Sequence, residues 1–172
     1  MANTPAVPRF AVLFVLLALL TPACGKEIGD GCTTNVDCAQ DGTRDCDLSQ
    51  PGGYCTVNGC DEKSCPSEAV CIRIFPYETP GAPCTTDANC LSADLLCLPD
   101  GFCVPRASER RYCERNCGSN GDCRGGYECR EAGIEGRLSS TNPSGSTNTY
   151  GSIALVANAT PNTVVRFCAP AP

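Results

Sequence analysis

Seventeen cysteines and no histidine define the chemistry open to this chain of 172 residues. Without imidazole there is no Ser-His or Cys-His catalytic pair and no Cys-His zinc site. No Cys-x-x-Cys occurs either, the closest spacing being Cys113 to Cys117, so thioredoxin-like exchange and zinc-ribbon ligation both lack their geometry. Lys26 and Lys63 are the only amine side chains, and neither Ser-x-x-Lys nor Gly-x-Ser-x-Gly accompanies them. Asp37, Asp41, Asp45 and Asp47 supply hard oxygen donors, but not in the D-x-[DN]-x-[DN]-G order of a calcium loop. Arg106, Arg110, Arg111 and Arg115 form a basic run that reads as the solvated face of a short helix, paired with Glu109 and Glu114. No catalysis, cofactor or metal is therefore expected, and the cysteines are read as structural bridges.

Export follows from the first residues. Arg9 precedes an unbroken apolar run from Phe10 to Leu20, closed by the small residues of Thr21-Pro22-Ala23, which is the pattern of a secretory signal over residues 1–23. As a helix that run reaches about 16 Å, roughly half the hydrocarbon thickness of a bilayer, so a permanent span is disfavoured. Cysteines sent to an oxidising compartment close as disulfides. Aromatics are only 6% and Trp is absent, so cross-links must stand in for a large apolar core. A formal net charge of −6 makes nucleic acid an unsuitable partner.

The elements that hold the cysteines repeat. Gly29-Asp30-Gly31-Cys32-Thr33-Thr34-Asn35-Val36-Asp37-Cys38 recurs as Gly81-Ala82-Pro83-Cys84-Thr85-Thr86-Asp87-Ala88-Asn89-Cys90. Each opening is followed by one more cysteine, Cys46 or Cys97, and by a turn that closes on another, Pro51-Gly52-Gly53-Tyr54-Cys55 or Pro99-Asp100-Gly101-Phe102-Cys103. A third copy of the opening is Cys117-Gly118-Ser119-Asn120-Gly121-Asp122-Cys123. Thr34 and Asp37, Thr86 and Asn89, and Ser119 and Asp122 have capping-box spacing, with an Asx side chain in the usual Glu position. Each pair predicts a single helical turn that presents Cys38, Cys90 or Cys123 inward.

Two related Cys-rich halves are expected, residues 24–79 and 80–135, followed by a flexible Gly/Ser/Thr/Asn loop over 136–152 and a C-terminal hairpin over 153–172 stapled by Cys168. The fold class is small, disulfide-rich and mostly irregular, with short β-hairpins and single-turn helices. Within each four-cysteine module three pairings are possible. The alternating one is favoured, Cys32 with Cys46 and Cys38 with Cys55, then Cys84 with Cys97 and Cys90 with Cys103. That leaves Cys60, Cys65 and Cys71 in the first half against Cys113, Cys117, Cys123, Cys129 and Cys168 in the second. Both sets are odd, so at least one bridge must join the halves. Cys168 is expected to return near Cys117 to Cys129.

Ala23-Cys24-Gly25 directly after the apolar run resembles the lipobox of bacterial lipoproteins, in which cleavage exposes a cysteine that carries diacylglycerol on sulfur and an acyl chain on its amine. Setting Cys24 aside from the 17 also leaves an even number of cysteines to pair. Together with the Gly-x-x-Cys-Thr-Thr openings, the PGGYC and PDGFC closings, and SERRYC before CGSNGDC, the chain is similar to the cysteine-rich repeat lipoproteins found as bacterial surface proteins. The resemblance implies lipidation at Cys24, a membrane partner through the anchor, an outer-membrane location in the cell envelope, and an envelope or extracellular protein partner. It implies binding or structural presentation rather than an enzyme. The competing expectation is a freely secreted binding or inhibitor module with Cys24 unmodified.

Overall fold

The computed structural model describes residues 25–61, 63–76, 81–139, 151–156 and 164–171; residues 1–24 and the centre of the polar stretch lie outside them. In chain order the elements are the single-turn helix α1 (Asn35–Cys38), β1 (Asp45–Asp47), β2 (Tyr54–Thr56) and β3 (Ala69–Pro76), then a 3-10 turn at Asp87–Asn89. β4 (Leu95–Cys97) and β5 (Cys103–Pro105) lead through a second 3-10 turn, Arg106–Ser108, to β6 (Arg110–Arg115). A third 3-10 turn, Asn120–Asp122, precedes β7 (Tyr127–Glu131), β8 (Gly133–Ser139), β9 (Gly151–Val156) and β10 (Arg166–Pro170). Short strands, single turns and eight disulfides make this a disulfide-rich, mostly irregular protein.

One unit recurs four times. It is an antiparallel ribbon in which two cysteines face each other across the ladder: Cys46 and Cys55 in β1–β2, Cys71 and Cys113 in β3–β6, Cys97 and Cys103 in β4–β5, Cys129 and Cys168 in β7–β10. These facing residues are not bonded to each other. Each is bonded instead to one of two cysteines on the segment that precedes the ribbon, always first to third and second to fourth. The first module joins Cys32 to Cys46 and Cys38 to Cys55. The second joins Cys60 to Cys71 and Cys65 to Cys113, the third Cys84 to Cys97 and Cys90 to Cys103, the fourth Cys117 to Cys129 and Cys123 to Cys168. Within each module three sulfurs lie within 4.8 Å of one another, so the two bridges stack.

The modules are nested, which the expected halves do not describe. The third module is inserted whole between the two strands of the second, so a boundary at 79/80 cuts the β3–β6 ribbon. Cys65–Cys113 is the bridge that spans this insertion. In the fourth module the insertion between β7 and β10 contains β8 and β9, which join the second module's ribbon in a sheet of order β6-β3-β9-β8. The tail therefore departs from expectation. β9 pairs with β3 and β8, and β10 pairs with β7, instead of forming one hairpin. The physical reason is that β9 finds the open edge of an eight-residue strand, β3, while the Cys123–Cys168 bridge holds β10 beside β7. The expected flexible loop is strand at both ends, since 136–139 belongs to β8 and 151–152 to β9; 140–150 lie outside the described residues. The arginine run is likewise strand β6 after one 3-10 turn, because it must ladder with β3.

Sulfur is a large part of the interior. One cluster gathers Ile28, Tyr54, Cys60, Cys71, Cys113, Tyr127 and Cys168, and so joins the first, second and fourth modules. A second holds Ile72, Ile74, Phe167 and Ala169, and a third holds Phe75, Leu96, Leu98 and Val104 under the inserted module.

Candidate functional site

The three repeated openings are built alike. Asp37 Oδ2 accepts from the Thr33 and Thr34 amides at 2.7 and 2.9 Å. Asn89 Oδ1 accepts from those of Thr85 and Thr86, and Asp122 Oδ2 from those of Gly118 and Ser119. The amide of Thr33 donating to Asp37, then its hydroxyl and the Thr34 amide, holds that carboxyl down at about 2. The other acids once open to a calcium reading are used in the same local way: Asp41 accepts from Thr43, Asp47 from Ser49, and Asp45 from the Asn35 and Asn58 side chains. Asp41 and Asp47 thus close turns, while Asp45 ties the first turn of α1 to the chain after β2. One side chain also spans the module in each of the three capped copies, since the Asn35 side-chain carbonyl takes the Cys46 amide, Asp87 that of Cys97 and Asn120 that of Cys129.

The chain is pinned from the first described residue. Arg44 Nη1 donates to the Lys26 carbonyl, and Lys26 Nζ donates to the Gly31 carbonyl at 2.6 Å. Arg115 reaches Glu27 at 2.8 Å, Ile28 is fully buried, and the Gly29 amide donates to Cys55. A Cβ on Gly25 would lie 3.3 Å from the Cys38 carbonyl oxygen, so the chain enters against the last residue of α1. Gly25 and α1 share a cleft of about 490 Å³, lined also by Ala39, Gln40, Asp41, Thr43 and Arg44.

A buried polar hub lies where the first, second and fourth modules meet. Glu114, on β6, is 2% exposed and accepts from the Gln50 amide at 3.2 Å, while its Oε2 meets no hydrogen-bond partner. Burial pushes its carboxyl up to about 8, against the pull of the Tyr54 hydroxyl and the Gln50 amide, and Asp47 adds to the rise. The expected ion-pair role of Glu114 is thus corrected: both faces of β6 are covered at this point, since the neighbouring Cys113 is buried as well. In the arginine run Arg106 pairs with Asp87 and Arg115 with Glu27, while Glu109 bridges Arg73 at 2.6 Å and Arg111 across the β3–β6 ladder. Those contacts, Arg73 first, hold its carboxyl below the ordinary range.

Beside Glu114, the buried Tyr54 hydroxyl accepts the Arg115 amide at 2.9 Å, and its ring meets Tyr127 at 5.4 Å. Burial, and then the Glu114 charge, push the Tyr54 hydroxyl far up. The Arg124 guanidinium sits 4.2 Å over Tyr127 and donates to the Pro51 and Gly53 carbonyls at 2.8 and 2.5 Å. The Pro51-Gly52-Gly53 turn of the first module is thereby clasped by the fourth. Gly53 is needed there, having φ +66° and an ideal Cβ only 2.0 Å from the Cys32 carbonyl oxygen. Spacing reasoning missed this hub because its members, Gln50, Tyr54, Glu114, Arg124 and Tyr127, are far apart in the chain.

All the cysteines expected in bridges are placed within the four modules, and Cys24 lies outside the described residues. Among the described residues, no helix is long and apolar enough to cross a membrane. Comparison with known proteins finds no matching family model, no similar curated protein and no similar solved structure.

Proposed function

We propose that the protein is a lipid-anchored, disulfide-stabilised component of the bacterial cell envelope, held on the outer membrane through Cys24 and acting by binding or structural presentation rather than catalysis. One observation carries this reading. Every other cysteine of the chain is taken up in the eight bridges, so Cys24 is the one left over, and it stands directly after the signal segment. The resemblance of Ala23-Cys24-Gly25 to a lipobox gives that thiol a chemical fate. Two or more acyl chains suffice for stable membrane attachment where one is marginal. The buried acid Glu114 sits inside a packed junction rather than in a cleft, which favours a structural role over proton transfer.

Intact-mass measurement of the mature protein tests the proposal. The expected result is a polypeptide beginning at Cys24, heavier by acyl chains and partitioning into detergent. An aqueous protein of unmodified mass would replace this reading with that of a freely secreted binding or inhibitor module.

A further inference from the structure

We infer that the α1 end of the first module is a membrane-contact face, seated directly on the phospholipid surface with no spacer between lipid and folded body. The inference rests on the acylation of Cys24 proposed above and names the surface that acylation would bring to the bilayer. Three residues, Gly25 to Glu27, lie between Cys24 and Ile28, which is fully buried. At about 3.3–3.6 Å per residue the four steps from Cys24 to Ile28 reach at most ~14 Å. Little of that reach is free, since Arg44 holds the Lys26 carbonyl, Arg115 holds Glu27 and Gly25 rests against Cys38. An acylated Cys24 therefore brings whatever surrounds Gly25 against the headgroups.

What surrounds Gly25 is α1, and its side chain at the outer position is Val36, 66% exposed and lining the same cleft as Gly25. The equivalent position in the other capped openings is Ala88 in the third module and Gly121 in the fourth. Only the copy next to the anchor carries a large apolar group there, and it is exposed. A lone apolar side chain on a face held within reach of the acyl boundary enters the headgroup region, which for interfacial groups is about 5–10 Å deep. Asp37 and Asp41 lie on the same face with Arg44, so zwitterionic lipid suits it better than an anionic surface.

The chain has no tryptophan, so one introduced residue gives an unambiguous optical probe. Val36→Trp and Leu91→Trp place it at two exposed apolar positions, the second on the third module and 92% exposed in the parent. Both variants are studied as the mature chain, natively acylated or with a lipid coupled to Cys24 through a maleimide. They are bound to phosphatidylcholine vesicles containing brominated acyl chains, and co-flotation verifies attachment. The expected result is blue-shifted emission from Val36→Trp, quenched at least about twofold more than that from Leu91→Trp, as a face-specific interfacial contact requires. Equal quenching of the two, or water-like emission from Val36→Trp on protein that co-floats, would overturn the inference. Failure of the native protein to carry acyl chains sinks the anchor reading instead, and the coupled form still decides the face.

Discussion

Replacing Glu114 with Gln should remove a pH dependence that the wild-type protein must show. Below the ordinary carboxyl value of 4.5, folded and unfolded chains both hold the proton. Above it only the folded chain does so, up to about 8. The unfolded state therefore binds fewer protons across that window, and stability falls as pH rises by about 1.4 kcal/mol per unit. Over the whole window the loss is on the order of 5 kcal/mol, and at pH 7 about 3 kcal/mol of it has been incurred. Glu114→Gln keeps the shape and the contact to Gln50 without a charge to bury. It should match wild type near pH 4 and exceed it by about 3 kcal/mol at pH 7. The chain lacks His, so no other side chain ordinarily titrates between pH 5 and 8 to obscure the effect. Guanidinium unfolding with the bridges intact, followed by near-ultraviolet dichroism of the tyrosines at pH 5, 6, 7 and 8, measures both slopes. Parallel slopes for the two proteins, or a Glu114 carboxyl carbon titrating below pH 5 by NMR, would refute the burial argument.

Four further outcomes are expected. Arg124→Lys should loosen the Pro51 to Gly53 turn and cost about 1–2 kcal/mol, because a compact ammonium loses the planar guanidinium stack on Tyr127 that aims the donor at both carbonyls; unchanged denaturation would refute the clasp. Gly53→Ala and Gly81→Ala each put a Cβ 2.0 Å from a carbonyl oxygen, of Cys32 and Cys103, and should cut the yield of fully bridged protein on oxidative refolding, whereas Gly125→Ala, with nothing within 4 Å, should not. Replacing Cys65 and Cys113 with serine removes a link of sequence separation 48 and should cost roughly 4 kcal/mol, against about 3 for Cys84 with Cys97, compared by denaturation midpoint. On the acid side Asp37 and Asp122 are held below their ordinary value by backbone amides, so their contribution is lost only as pH falls through the lowered values, and hydrogen exchange of the Thr34 and Ser119 amides should accelerate there.

What could be read from the order of residues was whatever closes locally. The capped turns at Thr34, Thr86 and Ser119 needed only a hydroxyl and an Asx three residues apart, and in the first and third modules the alternating pairing, favoured among the three that the sequence permits, is the one the structure holds. The second module stayed hidden because Cys60-Asp61-Glu62-Lys63-Ser64-Cys65 has no such capped opening and its fourth cysteine lies beyond an inserted module. Loop-closure entropy grows only with the logarithm of length, so separation along the chain cannot say that Cys65 meets Cys113 or that Cys123 meets Cys168. Ladder register decides both, by setting Cys71 opposite Cys113 and Cys129 opposite Cys168. Packing between modules likewise buried Glu114 and gave β9 to β3 rather than to β10. Composition and local spacing determined the kind of protein and the unit it repeats; only tertiary packing decided how the units nest and which charge is buried where they meet, because those depend on contacts between segments that the chain itself keeps far apart.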